Sequence, residues 1–183
     1  NNAAYGGGSI ILNISQDLIV NGAVLSNGGN SINESAIGNE APGGGAGGSI
    51  YVVSGNLTGT GYFQAKGGSN GKHDTDDDGG IGGGGRIAIY YNTTNLDFSR
   101  SNASIGITLG TSSNETQAEG TLAFIDMDSY ILTIQNAFEF NSSDVSSVWP
   151  NIKSADGSAF NFTNITTLNK SALIRISSNL VIL

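Results

Sequence analysis

The stretch Gly6-Gly7-Gly8-Ser9-Ile10-Ile11-Leu12 returns as Gly47-Gly48-Ser49-Ile50-Tyr51-Val52-Val53 and as Gly84-Gly85-Arg86-Ile87-Ala88-Ile89-Tyr90. A weaker copy is Glu119-Gly120-Thr121-Leu122-Ala123-Phe124-Ile125. The starting positions 9, 49, 86 and 121 lie 40, 37 and 35 residues apart. A period in this range marks stacked supersecondary units. Within each copy the side chains alternate: Ile10, Leu12 and Ile14 point one way and Ile11, Asn13 and Ser15 the other, while Ile87 and Ile89 oppose Ala88 and Tyr90. Period-2 alternation is that of a β-strand with one apolar face.

A second strand follows in register, Gly22-Ala23-Val24-Leu25-Ser26-Asn27-Gly28-Gly29 matching Gly61-Tyr62-Phe63-Gln64-Ala65-Lys66-Gly67-Gly68. In the third copy the matching strand is read later, at Ile105-Gly106-Ile107-Thr108-Leu109-Gly110, after an insertion around 95–102 that is expected to form a surface loop. One two-stranded unit leaves its apolar face open, so neighbouring units must stack on it. The fold predicted is all-β, a parallel β-helix or solenoid with glycine-rich corners, where positive φ or close backbone approach calls for glycine. Residues 1–135 are read as glycine-rich β-helix repeats. Residues 136–183 are read as a continuation of the β stack ending in an uncapped strand, with Tyr130-Ile131-Leu132-Thr133-Ile134 opening the further coils. The alternative is an antiparallel β-sandwich, which also shows short strands between turn signals; the register between copies favours the solenoid.

The chain has 183 residues, enough for one elongated domain with a real core. Its 28 glycines stand against 2 prolines, and with 38% hydrophobic and 12% charged residues it should fold rather than remain solvated. A net charge of −8 opposes nucleic acid and anionic lipid as partners. There is no Cys, and no apolar run reaches the length of a membrane span, so no membrane insertion is expected. The opening Asn1-Asn2-Ala3-Ala4 reads as the start of a processed or excised chain.

The glycine-led runs Gly47 to Val52, Leu57-Thr58-Gly59-Thr60-Gly61-Tyr62-Phe63-Gln64-Ala65-Lys66-Gly67-Gly68 and Gly82 to Tyr91 resemble the glycine-rich repeats of large microbial and protist surface proteins. Those repeats are similar to pectin-lyase-like right-handed β-helices. The resemblance covers roughly residues 6 to 135. It implies a right-handed parallel β-helix and a cell-surface setting, and it carries over no catalytic residue.

Ten Asn-x-Ser/Thr sequons occur, at Asn13, Asn33, Asn56, Asn92, Asn102, Asn114, Asn141, Asn161, Asn164 and Asn169, none with Pro in the middle. With 21 Asn and 36 Ser plus Thr in the chain, random placement gives about four. The excess points to N-linked glycans and hence to an extracellular or cell-surface location. Asn13, Asn56 and Asn92 follow the start of their copies by 4, 7 and 6 residues and are expected to form a stripe along one side of the stack. The bland reading, that a Ser/Thr/Asn-rich β protein makes sequons incidentally, is the one a mass measurement decides.

Asp74-Thr75-Asp76-Asp77-Asp78-Gly79 matches the opening of a calcium loop, with Asp74, Asp76 and Asp78 as candidate ligands. The twelfth position of an EF-hand falls on Gly85, so an EF-hand is excluded and a shorter calcium loop competes with a solvated acidic one. His73, the one histidine, has no His or Cys partner in view and reads as a bystander. Asp126 and Asp128, at i and i+2, would share a strand face and supply a polysaccharide lyase or hydrolase with paired carboxylates; a solvated face is the plainer reading. Tyr51, Tyr62, Tyr90 and Tyr91 would stack on sugars if exposed.

The function expected is that of a non-enzymatic structural extracellular glycoprotein. Its apolar ends, including Asn179-Leu180-Val181-Ile182-Leu183, point to head-to-tail assembly with copies of itself or with adjoining repeats of the same polypeptide, as the unit of a surface fibre. An adhesin or carbohydrate-binding module is the alternative, and a polysaccharide-acting enzyme stands third.

Overall fold

The computed structural model of the protein describes residues 4–31, 41–71, 79–104, 106, 119–135, 138–140, 151–152, 160–168, 174–176 and 180–182. The fold is all-β, with no α-helix among the described residues. The glycine-led copies supply the long strands: β1 (Ser9–Ile19), β3 (Ser49–Thr58), β5 (Arg86–Thr94) and β6 (Thr121–Asp126), interleaved with the short β2 (Ala23–Leu25) and β4 (Tyr62–Gln64). β1, β3, β5 and β6 pair in parallel, Ser9 with Ser49, Ser49 with Arg86 and Arg86 with Thr121, so the repeat offsets of the sequence are the strand register. β2 and β4 pair in parallel in a second sheet, Val24 opposite Phe63.

Alternation then decides the core. Ile50, Val52, Ile87, Ile89, Leu122 and Phe124 turn inward and are at most 2% exposed, closing on Phe63, Ala65 and Ala103. Burying side chains of this kind is worth about 1.5–3 kcal/mol each, which is what holds neighbouring copies together.

On the far side from the long strands the chain comes back on itself with no side-chain layer between. Gly29 N donates to Tyr5 O, Gly45 N to Gly29 O, Gly68 N to Gly45 O, Gly82 N to Gly68 O and Gly106 N to Gly82 O, all at 2.7–3.0 Å. These bonds zigzag between two sets of extended segments, alternately within one copy and between copies. A Cβ at Gly45, Gly68 or Gly82 would lie under 3.0 Å from the backbone carbonyl of its counterpart one copy earlier, Tyr5, Gly29 or Gly45. Glycine is therefore required for close approach. Positive φ explains one described glycine, Gly59 at 119°. The corners of the sequence reading are a backbone zipper.

Two further expectations differ from what is observed. The third copy's counterpart of Gln64 is Asn102, bridged to it in parallel: Ala65 N donates to Asn102 O, and Ala103 is fully buried opposite Gly84. Of the expected Ile105 to Gly110, all but Gly106 lies outside the described residues. The insertion is also no mere loop. Leu96 is buried, and the 3-10 turn Phe98–Arg100, capped by Asp97 accepting from Ser99 N, inserts Phe98 between Tyr91 and Phe124. Phe98 is held there by packing on the first core, stacked on Phe124.

After β6 the chain reverses. Asp126 Oδ1 accepts from Asp128 N and Ser129 N, Tyr130 takes φ 55°, and β7 (Ile131–Gln135) runs back antiparallel to β6. The main sheet is thus mixed, in the order β1-β3-β5-β6-β7-β11, where β11 is Asn164–Thr167. The reversal swaps the buried face. Leu132 and Ile134 stand opposite Ile125 and Ala123, and with Phe162 they form a second core on the outer side of the sheet.

The remaining strands are β8 (Phe138–Phe140), β9 (Asn151–Ile152), β10 (Phe160–Phe162), β12 (Ile174–Ile176) and β13 (Leu180–Ile182). They pair in parallel as β7 with β11, β8 with β12 and β9, and β10 with β13.

Candidate functional site

The asparagines divide by what their amides do. Asn21, Asn27, Asn30 and Asn95 begin no sequon, and each spends its side-chain oxygen on a backbone N–H of a neighbouring copy: Thr60, Lys66, Ser69 and Gly59, at 2.8–3.3 Å. They are rungs between copies. The sequon asparagines are placed otherwise. Asn13, Asn92 and Asn164 are exposed on β1, β5 and β11 and make no side-chain hydrogen bond among the described residues. Asn56 and Asn102 are half-buried, and both use only the oxygen, Asn56 accepting from Thr93 Oγ1 at 2.9 Å and Asn102 from Ser104 N at 2.7 Å. In all five, Nδ2, the atom a glycan would occupy, donates to nothing among the described residues. Asn161 contributes backbone to β10. Asn33, Asn114, Asn141 and Asn169 lie outside the described residues, as do Asp74, Asp76, Asp78 and His73 of the acidic loop. Among the described residues no three His, Cys, Asp or Glu gather as metal ligands.

The outer face of the main sheet carries the site's apolar surface. Ile11, Tyr51, Ala88 and Ala123 share one rung, and Asn13, Val53, Tyr90 and Ile125 share the next outward one. At the β6 end this face is covered: Ala123 and Ile125 are buried in the second core. At the β1 end it is open, with Ile11 70% and Tyr51 43% exposed. Tyr51 and Tyr90 meet diagonally, ring centroids 5.6 Å apart and planes tilted 52°. Burial, and secondarily Tyr51 beside it, pushes the Tyr90 hydroxyl above its ordinary pKa. Asn13 faces this surface from the edge strand, and Asn92 lies two residues past Tyr90 on the same side. Asn56 does not join them. A register shift between Ile14 and Asp17 turns it into the rung of Asp17 and Thr93, so the expected single stripe reduces to Asn13 and Asn92.

The shared strand face considered for Asp126 and Asp128 is not formed. Asp126 ends β6, but Asp128 is in the turn, so the two are not on one strand face, and the Asp126 carboxylate is occupied in holding the reversal. Its charge also reaches Tyr91. Burial first, and Asp126 second, raise the Tyr91 hydroxyl from 10.0 to about 12. A phenol whose folded pKa exceeds its unfolded one contributes stability that is complete below pH 10 and is lost as pH climbs towards about 12. Alkaline denaturation of wild type is therefore expected to set in across that window. Tyr91→Phe should hold its stability further into it, read by denaturant midpoints at each pH.

A second surface feature is a shallow polar groove of about 250 Å³ lined by Asn27, Asn30, Gln64, Lys66 and Ser69. Asn27 Nδ2 donates to Gln64 Oε1 across it at 2.8 Å. Tyr62, by contrast with Tyr51, is covered by the Arg100 guanidinium, 5.2 Å from its ring centre. No helix of the described residues is long and apolar enough to cross a membrane.

No protein family, curated protein or solved structure matches the chain in comparisons against each.

Proposed function

We propose that the protein is a structural extracellular glycoprotein without catalytic activity, built as coils of a right-handed parallel β-helix and joined head-to-tail into a surface fibre. The observation that carries the reading is the division of the asparagines: Asn21, Asn27, Asn30 and Asn95, outside sequons, are spent as rungs, while Asn13, Asn56, Asn92, Asn102 and Asn164, in sequons, leave Nδ2 unengaged among the described residues. The parallel register of β1, β3, β5 and β6 supports the solenoid, with the reversal at Asp126 as a change of face within it.

Head-to-tail joining draws support from the outer edge of β1. Ile10, Leu12, Leu18 and Val24 are only partly buried where Ile50, Val52, Leu57 and Phe63, their counterparts one copy on, are at most 2% exposed. The occupant that fits is another coil of the same repeat, adding a parallel strand to β1 in register, since side chains of that alternation complete the core and the ladder together. Glycans on the flanks shield the remaining edges from unwanted strand addition.

The test of the glycoprotein reading is intact mass of the natively produced protein before and after enzymatic deglycosylation. A loss of mass down to the 18.7 kDa of the bare chain is expected. A starting mass already at that value overturns the reading. The polar groove at Asn27 to Ser69 favours a second reading, a carbohydrate-binding module. Binding on a glycan array that is lost in Lys66→Ala would support it.

A further inference from the structure

We infer that the sugars on Asn13 and Asn92 fold back over the open half of the outer sheet face and cover Tyr51, Val53 and Tyr90. The inference rests on the glycoprotein reading and adds to it where two of the glycans lie and what they do. Half of this face is sealed by protein, at Ala123, Ile125, Leu132, Ile134 and Phe162, with Tyr90 partly buried against that core; beyond Tyr90 the face opens at Tyr51, whose ring tilts against it. Tyr51 keeps 43% of its surface in water and Ile11 70%. An apolar strip of this kind next to an edge strand invites association.

Both sequons flanking the strip project onto it. Asn13 is the direct neighbour of Val53, which is the direct neighbour of Tyr90, and Tyr51 lies on the diagonal one strand over. Strands are about 4.8 Å apart and alternate residues on one face about 6.6 Å apart, so both rings sit within roughly 10 Å of the Asn13 backbone. That is the reach of an asparagine side chain carrying one or two sugar rings. Asn92 approaches Tyr90 from the opposite side at the i+2 spacing. A pyranose ring has a face of C–H bonds and a rim of hydroxyls, which matches a tyrosine: flat apolar face inward, polar tip to water. The tether makes the contact intramolecular, so a stacking too weak to bind free sugar holds at the effective concentration of a short linkage. A protein partner on the same strip would have to displace both glycans.

The experiment uses natively glycosylated protein, Ser15→Ala, which removes the first sequon while keeping Asn13, and Asn92→Gln. Each is nitrated with tetranitromethane and the modified tyrosines are mapped by peptide mass, with site occupancy read from the same digest. The expected result is slow nitration of Tyr51 in the occupied protein, rising several-fold in Ser15→Ala and further in the double variant, while Tyr5, 87% exposed and off this face, reacts equally in all. Occupied Asn13 and Asn92 with Tyr51 nitrated as fast as in the variants overturns the inference and leaves the glycoprotein reading standing. Bare Asn13 and Asn92 beside other occupied sequons also overturns it alone. Bare asparagines at every sequon overturn both.

Discussion

Gly68→Ala is expected to lower stability by about 3 kcal/mol or more, while Gly8→Ala leaves it unchanged or slightly raised. A Cβ on Gly68 would lie under 3.0 Å from the carbonyl carbon and oxygen of Gly29, which are backbone atoms with no rotamer to escape into. Gly68 is also a middle link of the zigzag, donating to Gly45 O at 2.8 Å and accepting from Gly82 N at 2.9 Å. Relieving the clash means parting the segments, so overpacking of about 1–3 kcal/mol adds to two weakened hydrogen bonds of about 1 kcal/mol each. Against a total stability of about 5–15 kcal/mol such a loss is severe. A Cβ on Gly8 meets nothing within 4 Å, and its φ is not positive, so alanine there costs no contact and restricts the unfolded chain. Urea midpoints of the two variants separate them; equal midpoints would mean that the glycines are not there to let backbones touch.

Phe124→Ala is expected to cost about 3–5 kcal/mol. The side chain is fully buried and stacks on Phe98 with centroids 3.7 Å apart and planes at 16°, and Phe98 in turn leans on Tyr91 at 5.6 Å. Removing the ring leaves a cavity beside Phe98. Phe98 is fixed by a short 3-10 turn whose ends are held by Asp97 and by Ser101 N on Phe98 O, so relaxation is limited. Ile125, the next residue, faces the other core, so damage at Phe124 does not transmit through shared contacts and the second cluster should retain its packing. Ile11→Ala, on the open face, should stay within about 0.5 kcal/mol. Thermal unfolding followed by circular dichroism checks both; a Phe124→Ala midpoint close to wild type would show that the insertion does not close the core.

The alternation in the glycine-led copies carried most of the first half of the fold: Ile10, Ile50, Ile87 and Leu122 fall on one rung because the sequence repeats in phase with the strand period. The pairing of Gly29 with Gly68 was likewise legible from spacing. Which of the two reasons for glycine applies was not, because positive φ and close backbone approach both select glycine and differ only in what lies against it in space. The third copy misled for a physical reason. Asn102-Ala103-Ser104 lacks the paired glycines of its counterparts, and the small Ala103 that replaces Ala65 in space is a weak signal beside the conspicuous Ile105 to Gly110.

The reversal was within reach. Asp126-Met127-Asp128-Ser129 between two apolar runs is a turn signal, and an Asp accepting from backbone two and three residues on is its mechanism. Placing the same two aspartates on one strand face hid it. At the sites, the sequon pattern named the asparagines, but which of them share a face depended on the register shift after Ile14, which no local pattern encodes. The apolar outer face at Tyr51 and Tyr90 was legible as aromatic residues; its half-covered state depends on Phe162, more than seventy residues further along the chain from Tyr90.

The claim that this chain is a stacking structural unit is tested most directly by electron microscopy of the native, glycosylated material. Filaments of uniform width are expected, with an axial subunit spacing that is a whole number of strand spacings of about 4.8 Å and glycan density on their flanks. Native material that consists only of separate compact particles, at every concentration imaged, would contradict it.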